Sequence, residues 1–298
     1  MTIYLATDDG VAVLRQDGSY EALKVELQLR GLDAYCLAAD PEFPERVYCG
    51  TFGAGLWRTP DGGKTWSRAG EGVPYAEVMS VAVSPLERVD GHGVVWAGTE
   101  PSAVYRSEDG GDSWEERPAL RRLPSAPTWS FPPRPWTHHV RWIAPDPLFA
   151  SRMCVGIELG GVMRSLDFGL TWEDRKPNGQ HDAHTLATHP LAPGRVYEAA
   201  GGGYAESRDG GETWQRYDAG MSHHYVWGLA VDPADPNTIV VSACRGAQQA
   251  HSPQLAESRL YRRSGGGPWE EVRNGLPEPK RQRAYVLATL PTEPTTFY

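Results

Sequence analysis

Long apolar runs are missing from these 298 residues. No stretch approaches the roughly eighteen consecutive apolar residues that a membrane helix needs, so no spanning segment is expected. The opening MTIYLATDDG has neither a basic leader nor an apolar core of signal-peptide length, which predicts a cytoplasmic protein. Clusters of Lys and Arg are absent too. With a formal net charge of −9, nucleic acid and anionic membranes would be repelled, and both are excluded as partners. Cysteine is scarce: Cys36, Cys49, Cys154 and Cys244 stand in apolar, strand-like stretches without metal-type spacing, which predicts buried free thiols.

What the chain does have is glycine and large aromatics, 33 Gly, 13 Tyr and 11 Trp, a composition suited to many short twisted strands joined by tight turns. An all-β protein follows, with helices almost absent. All-β folds often use this length in one unit, so a single domain spanning 1–298 is expected.

Internal repetition is the strongest signal. Four segments share Ser/Thr-x-Asp-x-Gly-x-Ser/Thr-Trp: Thr59 to Trp66, Ser107 to Trp114, Ser165 to Trp172 and Ser207 to Trp214. Ser264 to Trp269 keeps the glycines and the tryptophan but loses the aspartate, and Asp17-Gly18-Ser19-Tyr20 reads as a sixth remnant. In each copy Asp can accept backbone N–H bonds across a hairpin turn, Gly can take a positive φ, and Trp can pack the turn against its own sheet. The pattern resembles the Asp-box, or BNR, repeat of sialidases, sortilin-type receptors, xyloglucanases and photosystem-assembly propellers. That resemblance implies a β-propeller whose boxes lie at the outer hairpin of each blade, away from the ligand face.

A second column counts the blades. Six apolar segments end in Pro with one register, at Pro41, Pro85, Pro147, Pro190, Pro233 and Pro291, and in each a Leu, Ile or Val is followed by Ala. Neighbours in a strand face opposite ways, so a large residue of one blade can interdigitate with a small one of the next. Six innermost strands predict a six-bladed β-propeller. Its last blade is expected to be closed by the N-terminal strands Ile3 to Thr7, Val11 to Arg15 and Tyr20 to Val25 pairing with segment 285–298. The alternative is a seven-bladed propeller truncated after Tyr298.

Two insertions interrupt the repeat, Ala119 to Thr137 and Arg245 to Ser258, both expected on one face. The first, rich in Pro and aromatics, predicts an ordered flap of extended backbone. On the same face, the residues nine before each Pro include His138, His181 and His224; eight before stand Asp33, Glu77, His139, Asp182, Tyr225 and Arg283; six before stand Tyr35, Met79, Arg141, His184, Trp227 and Tyr285. With Glu100, Glu158, Arg245, His223 and His251 expected nearby, a His/Arg/carboxylate-lined pocket at the funnel mouth is the natural consequence.

Three chemistries fit such a mouth. Resemblance to sialidase-like enzymes implies a hydrolase of glycosidase type acting on a small polar or carbohydrate ligand. Arg141, Arg245 and Arg283 would then clamp a carboxylate, Tyr285 or Tyr35 would serve as nucleophile, and Glu158 or Asp33 as acid or base. The Arg-Ile-Pro-type motif of those enzymes is missing; the similar triplet Arg122-Leu123-Pro124 lies in the first insertion. Alternatively, His138, His181 and His224, with His139 and His184 near them and Glu158 or Asp182 as oxygen donor, would hold Zn²⁺ or Fe²⁺ in a metal-dependent enzyme. In the third case the propeller is non-catalytic and binds a ligand or partner protein through Trp129, Trp136, Trp142 and Trp227.

Overall fold

The computed structural model describes residues 2–16, 23–134 and 137–298. The remnant Asp17 to Tyr20, the start of the strand expected at Tyr20 to Val25, and Trp136 lie outside the described residues.

Six sheets follow one another along the chain. The first joins β1 (Thr2–Thr7), β2 (Gly10–Gln16) and β3 (Leu23–Gln28). The second joins β4 (Ala34–Ala39), β5 (Val47–Thr51), β6 (Leu56–Thr59) and β7 (Ser67–Arg68). The third joins β8 (Glu77–Val89), β9 (His92–Glu100), β10 (Val104–Ser107) and β11 (Glu115–Glu116). The fourth has β12 (Val140–Pro145), β13 (Met153–Ile157) and β14 (Gly161–Ser165), and the fifth β15 (Ala183–Thr188), β16 (Val196–Ala200), β17 (Gly203–Ser207) and β18 (Gln215–Arg216). The sixth joins β19 (Tyr225–Asp232), β20 (Asp235–Cys244), β21 (Ser258–Arg263) and β22 (Glu270–Val272). Every sheet is an antiparallel meander, and the first strands lie side by side in the order β1, β4, β8, β12, β15, β19.

Stacking follows the alternation of large and small residues. Ala38 shares a core cluster with Val81, Ala82 with Ile143, Ala144 with Leu186, and Ala187 with Leu229. Each alanine therefore makes room for the branched residue of the next sheet, and the core is a series of seams between sheets.

The aspartate turns close as their chemistry requires. Asp109 accepts from the Ser113 N–H at 2.9 Å and the Ser107 hydroxyl at 2.8 Å, and Gly111 adopts φ +92°. Trp214 donates to the Gly211 carbonyl of its own turn at 3.2 Å, but three other tryptophans reach across a seam. Trp66 donates to Gln28 at 2.8 Å, Trp114 to the Ala69 carbonyl and Trp269 to the Tyr217 carbonyl at 2.6 Å, so each ties its turn to the preceding sheet across a seam.

The C-terminal segment departs from expectation. Residues 285–290 form no strand and no ladder with β1 among the described residues. Instead the segment lies beside the sixth sheet: Ser242 donates to the Tyr285 carbonyl at 2.7 Å, Thr289 to that of Val231 at 3.1 Å. Ala288 and Tyr298 bond to each other, at 2.9 and 3.0 Å. Ala288 to Leu290 also face Thr2 to Tyr4 of β1 across a cleft of about 780 Å³.

The first insertion is not extended either. It folds into 3-10 turns at Pro118–Arg122 and Ala126–Thr128, and Leu120 and Trp129 are buried in the seam between the third and fourth sheets. The second insertion forms the short helix α1 (Ala247–His251).

Candidate functional site

In five of the inner strands the ladder skips residues near the start. The unpaired residues are Tyr35, Met79, Arg141, His184 and, in a longer irregularity, Trp227 with Gly228. A β-bulge removes a residue from the ladder and re-aims its side chain. Repeated from blade to blade, this device turns the column six before each Pro toward a common centre.

Four of those side chains meet there. The Arg141 guanidinium lies 5.5 Å from the Tyr35 ring and 4.8 Å from that of Trp227. His184 packs 4.5 Å from Trp227 and 4.8 Å from Tyr225. Helix α1 brings His251 to 4.4 Å from Trp227.

Charge gathers beneath this aromatic wall. Glu158, at the turn after β13 and 7% exposed, stands 2.9 Å from His139 Nε2 and 3.7 Å from Arg141 Nε. The other nitrogen of His139 lies 3.2 Å from Glu100, which Arg134 grips with two bonds of 2.9 and 2.6 Å. Asp182 Oδ2 lies 3.3 Å from His184 Nε2, and one donor atom each of Glu158, Asp182 and His184 fall within 4.8 Å of one another.

These neighbours decide protonation. Burial works against the His139 imidazolium, but its bonds to Glu100 and Glu158 prevail and raise its pKa. Burial likewise works against the Glu100 carboxylate; His139, Arg134 and Thr137 outweigh it and hold the group at about 2. Glu158 is lowered against its burial by His139 and Arg141. Tyr35 and Tyr225 are raised by burial.

Of the residues singled out in the sequence, Glu158, Arg141, His139 and His184 come together at the hub, with Tyr35, Glu100, Asp182, Tyr225, Trp227 and His251. The ring of His138, His181 and His224 does not form. His138 packs edge-on against Trp129 at 5.5 Å, His181 is exposed beside Arg175 at 3.4 Å, and His224 is exposed 3.8 Å from Asp218. All three precede the first paired residue of their strands, so they belong to connections and are not aimed by the bulge.

Nor does the three-arginine clamp assemble. Arg245 is exposed 3.9 Å from Glu257, and Arg283 is exposed, its charge reaching His251. Tyr285 lines a cleft of about 320 Å³ with Arg259 and Leu260, away from Arg141. Asp33 is half-buried and its pKa is raised, by burial first and then by Asp8. Trp129 and Trp142 pack in the seams instead of lining a rim.

Arg134 and Phe131 were not singled out in the sequence. Phe131 packs edge-on at 4.9 Å against His139, and Arg134 lies 4.5 Å over the Phe131 ring and 4.9 Å over that of Phe52. The only signal was their place in the long insertion; their pairing with Glu100 and His139 needs the folded chain.

No family model matches the chain. Over 254 residues it is 25% identical to the "Probable oligoxyloglucan-reducing end-specific xyloglucanase" of Neosartorya fischeri, covering 79% of this chain and 26% of that protein. An ancestral GH74 enzyme superposes with TM-score 0.70 at 17% identity, over 87% of this chain and 33% of its own. The GH74 xyloglucanase of Xanthomonas campestris gives 0.66 at 20% identity, over 92% and 43%. YCF48 of Cyanidioschyzon merolae gives 0.59 at 14% identity, over 91% and 80%. The chain thus spans about a quarter of the curated relative and a third to under half of the GH74 structures. At these identities the likeness is one of fold: the chain is a β-propeller.

Proposed function

We propose that the chain is a six-bladed Asp-box propeller, one domain over 1–298, that binds a carbohydrate at its hub and hydrolyses a glycosidic bond there. The observation that carries this reading is the hub itself, where the buried carboxylate of Glu158 sits beside Arg141 at a wall of Tyr35, Tyr225 and Trp227. Glu158, kept ionised by His139 and Arg141, has the character of a base. Arg141 is the cation available to orient a polar substituent. The xyloglucanase relative supports a glucan as ligand class. Closure of the ring between β1 and segment 285–290 belongs to the same proposal, supported by their facing positions across the cleft. Four free cysteines support a reducing, cytoplasmic location.

The test is release of reducing ends from xyloglucan oligosaccharides. Glu158→Gln is expected to lower kcat/KM by about 10²–10⁴-fold. Saturable binding without turnover, weakened by Trp227→Ala, would favour a non-catalytic binding propeller, a second reading supported by the likeness to the structure titled "YCF48 bound to D1 peptide". Absence of both binding and turnover would refute the hub as a carbohydrate site.

A further inference from the structure

We propose that Glu158, Asp182 and His184 hold a divalent first-row transition metal at the hub. This goes beyond the glycosidase reading and rests on its own observations, although it shares Glu158 with that reading, which uses the carboxylate free of metal. The first observation is convergence: one oxygen of each carboxylate and one imidazole nitrogen lie within 4.8 Å of one another. Donors bound to one ion at roughly 2.0–2.2 Å stand about 3.4 Å apart in a tetrahedral set and up to about 4.4 Å when opposite, so side-chain rotations of about an ångström bring the three onto one ion.

The second observation is independent and concerns His184 alone. Its ring is fully buried, and its Nδ1 lies 2.7 Å from the Val226 carbonyl. A carbonyl can only accept, so Nδ1 carries the proton, and in the neutral ring Nε2 is left with its lone pair. That Nε2 is buried and has no hydrogen-bond partner, although Asp182 Oδ2 is 3.3 Å away. A lone pair facing a carboxylate is repelled, and an unsatisfied buried nitrogen is costly. A metal ion between them removes both penalties. An imidazole whose other nitrogen donates to a backbone carbonyl is also the usual arrangement of a metal-bound histidine.

The surroundings hold the remaining donors in place. His139 bonds Glu158 Oε2 at 2.9 Å, orienting that carboxylate, and Tyr225 and Trp227 confine the His184 ring. One imidazole with two carboxylates favours Zn²⁺ or Mn²⁺ over Ca²⁺ and Mg²⁺, which prefer oxygen alone. This donor set differs from the three-histidine ring anticipated in the sequence, whose members lie apart.

The experiment is calorimetric titration of the chelator-treated, dialysed protein with Zn²⁺ and with Mn²⁺, and Mg²⁺ for contrast. One saturable site per chain is expected for Zn²⁺ or Mn²⁺. Asp182→Asn and Glu158→Gln should weaken it at least about 10-fold. His181→Ala and His224→Ala should leave it unchanged. Asp182 is partly exposed, so its variant is the one expected to fold, with circular dichroism as the check. Absence of a saturable site overturns the proposal and is the result if His184 is instead an imidazolium paired with Asp182. Unchanged affinity in folded Asp182→Asn, or tighter binding of Mg²⁺ than of Zn²⁺, also overturns it. Because the readout is binding, loss of glycoside turnover with intact metal uptake would count against the glycosidase reading alone.

Discussion

His139 is the residue on which the hub's electrostatics turn, because it bridges two buried carboxylates. Its pKa in the folded chain lies above the ordinary 6.5, so the stability it contributes is complete below that value and is lost as pH rises through the raised one. Glu100 and Glu158 act in the opposite sense. Their pKa values are lowered, so their contribution is complete above the ordinary 4.5 and is lost as pH falls, for Glu100 toward about 2. The melting temperature should therefore be highest between pH 4.5 and 6.5 and decline on the alkaline side. Thermal melts from acid to mildly alkaline pH check this, and the alkaline decline should vanish in His139→Gln. An unchanged decline in that variant would show that another group drives it. Arg141, His139 and His184 could be picked out in the sequence because each falls in a repeated column, and Glu158 because its loop is expected beside them. Arg134 could not, since nothing in the text of an insertion says which carboxylate its guanidinium will reach.

At the scale of elements, the bulged inner strand is the device that makes the hub, and Gly228 shows its tolerance. A Cβ there would stand 2.2 Å from the Tyr285 carbonyl and 2.9 Å from Ser242 Oγ. Gly228→Ala should therefore cost about 1–3 kcal/mol in urea unfolding. In a chain ending at Ala284 most of that cost should disappear, because the obstructing carbonyl is gone; a cost that persists in full would place the clash elsewhere. The aspartate turns stabilise locally: Asp109→Ala removes the acceptor for Ser113 N–H and the Ser107 hydroxyl and should cost about 1 kcal/mol, read by the same method. The five inner strands that form were readable from the Pro column. The bulge within them was not, because it depends on how the twisted strand meets its neighbour. The sixth segment carries the same sequence signal yet forms no ladder, since a strand needs a partner edge as well as a pattern.

For the molecule as a whole, stability resides in the seams. Glu206, fully buried on β17, receives Arg195 from its own sheet at 2.8 and 3.0 Å, Arg263 from the next at 2.9 Å, and the Tyr204 hydroxyl at 2.9 Å. Glu206→Ala strands two buried guanidinium groups and should cost about 3–5 kcal/mol, measurable by denaturant unfolding. A loss within about 1 kcal/mol would mean that water enters the seam and solvates them. The amino-acid sequence by itself determined the all-β class, the antiparallel repeat, the turns and the large-small alternation between sheets, because these follow from residues near one another in the chain. It also marked the end of each strand that carries chemistry. Only the tertiary structure decided which of those residues meet. His139, Asp182 and Tyr225 of the column eight before Pro, and Tyr35, Arg141, His184 and Trp227 of the column six before, reach the centre, while the histidines nine before do not. That difference rests on a one-residue change of ladder register and on where two insertions fold back, neither of which is written in local spacing.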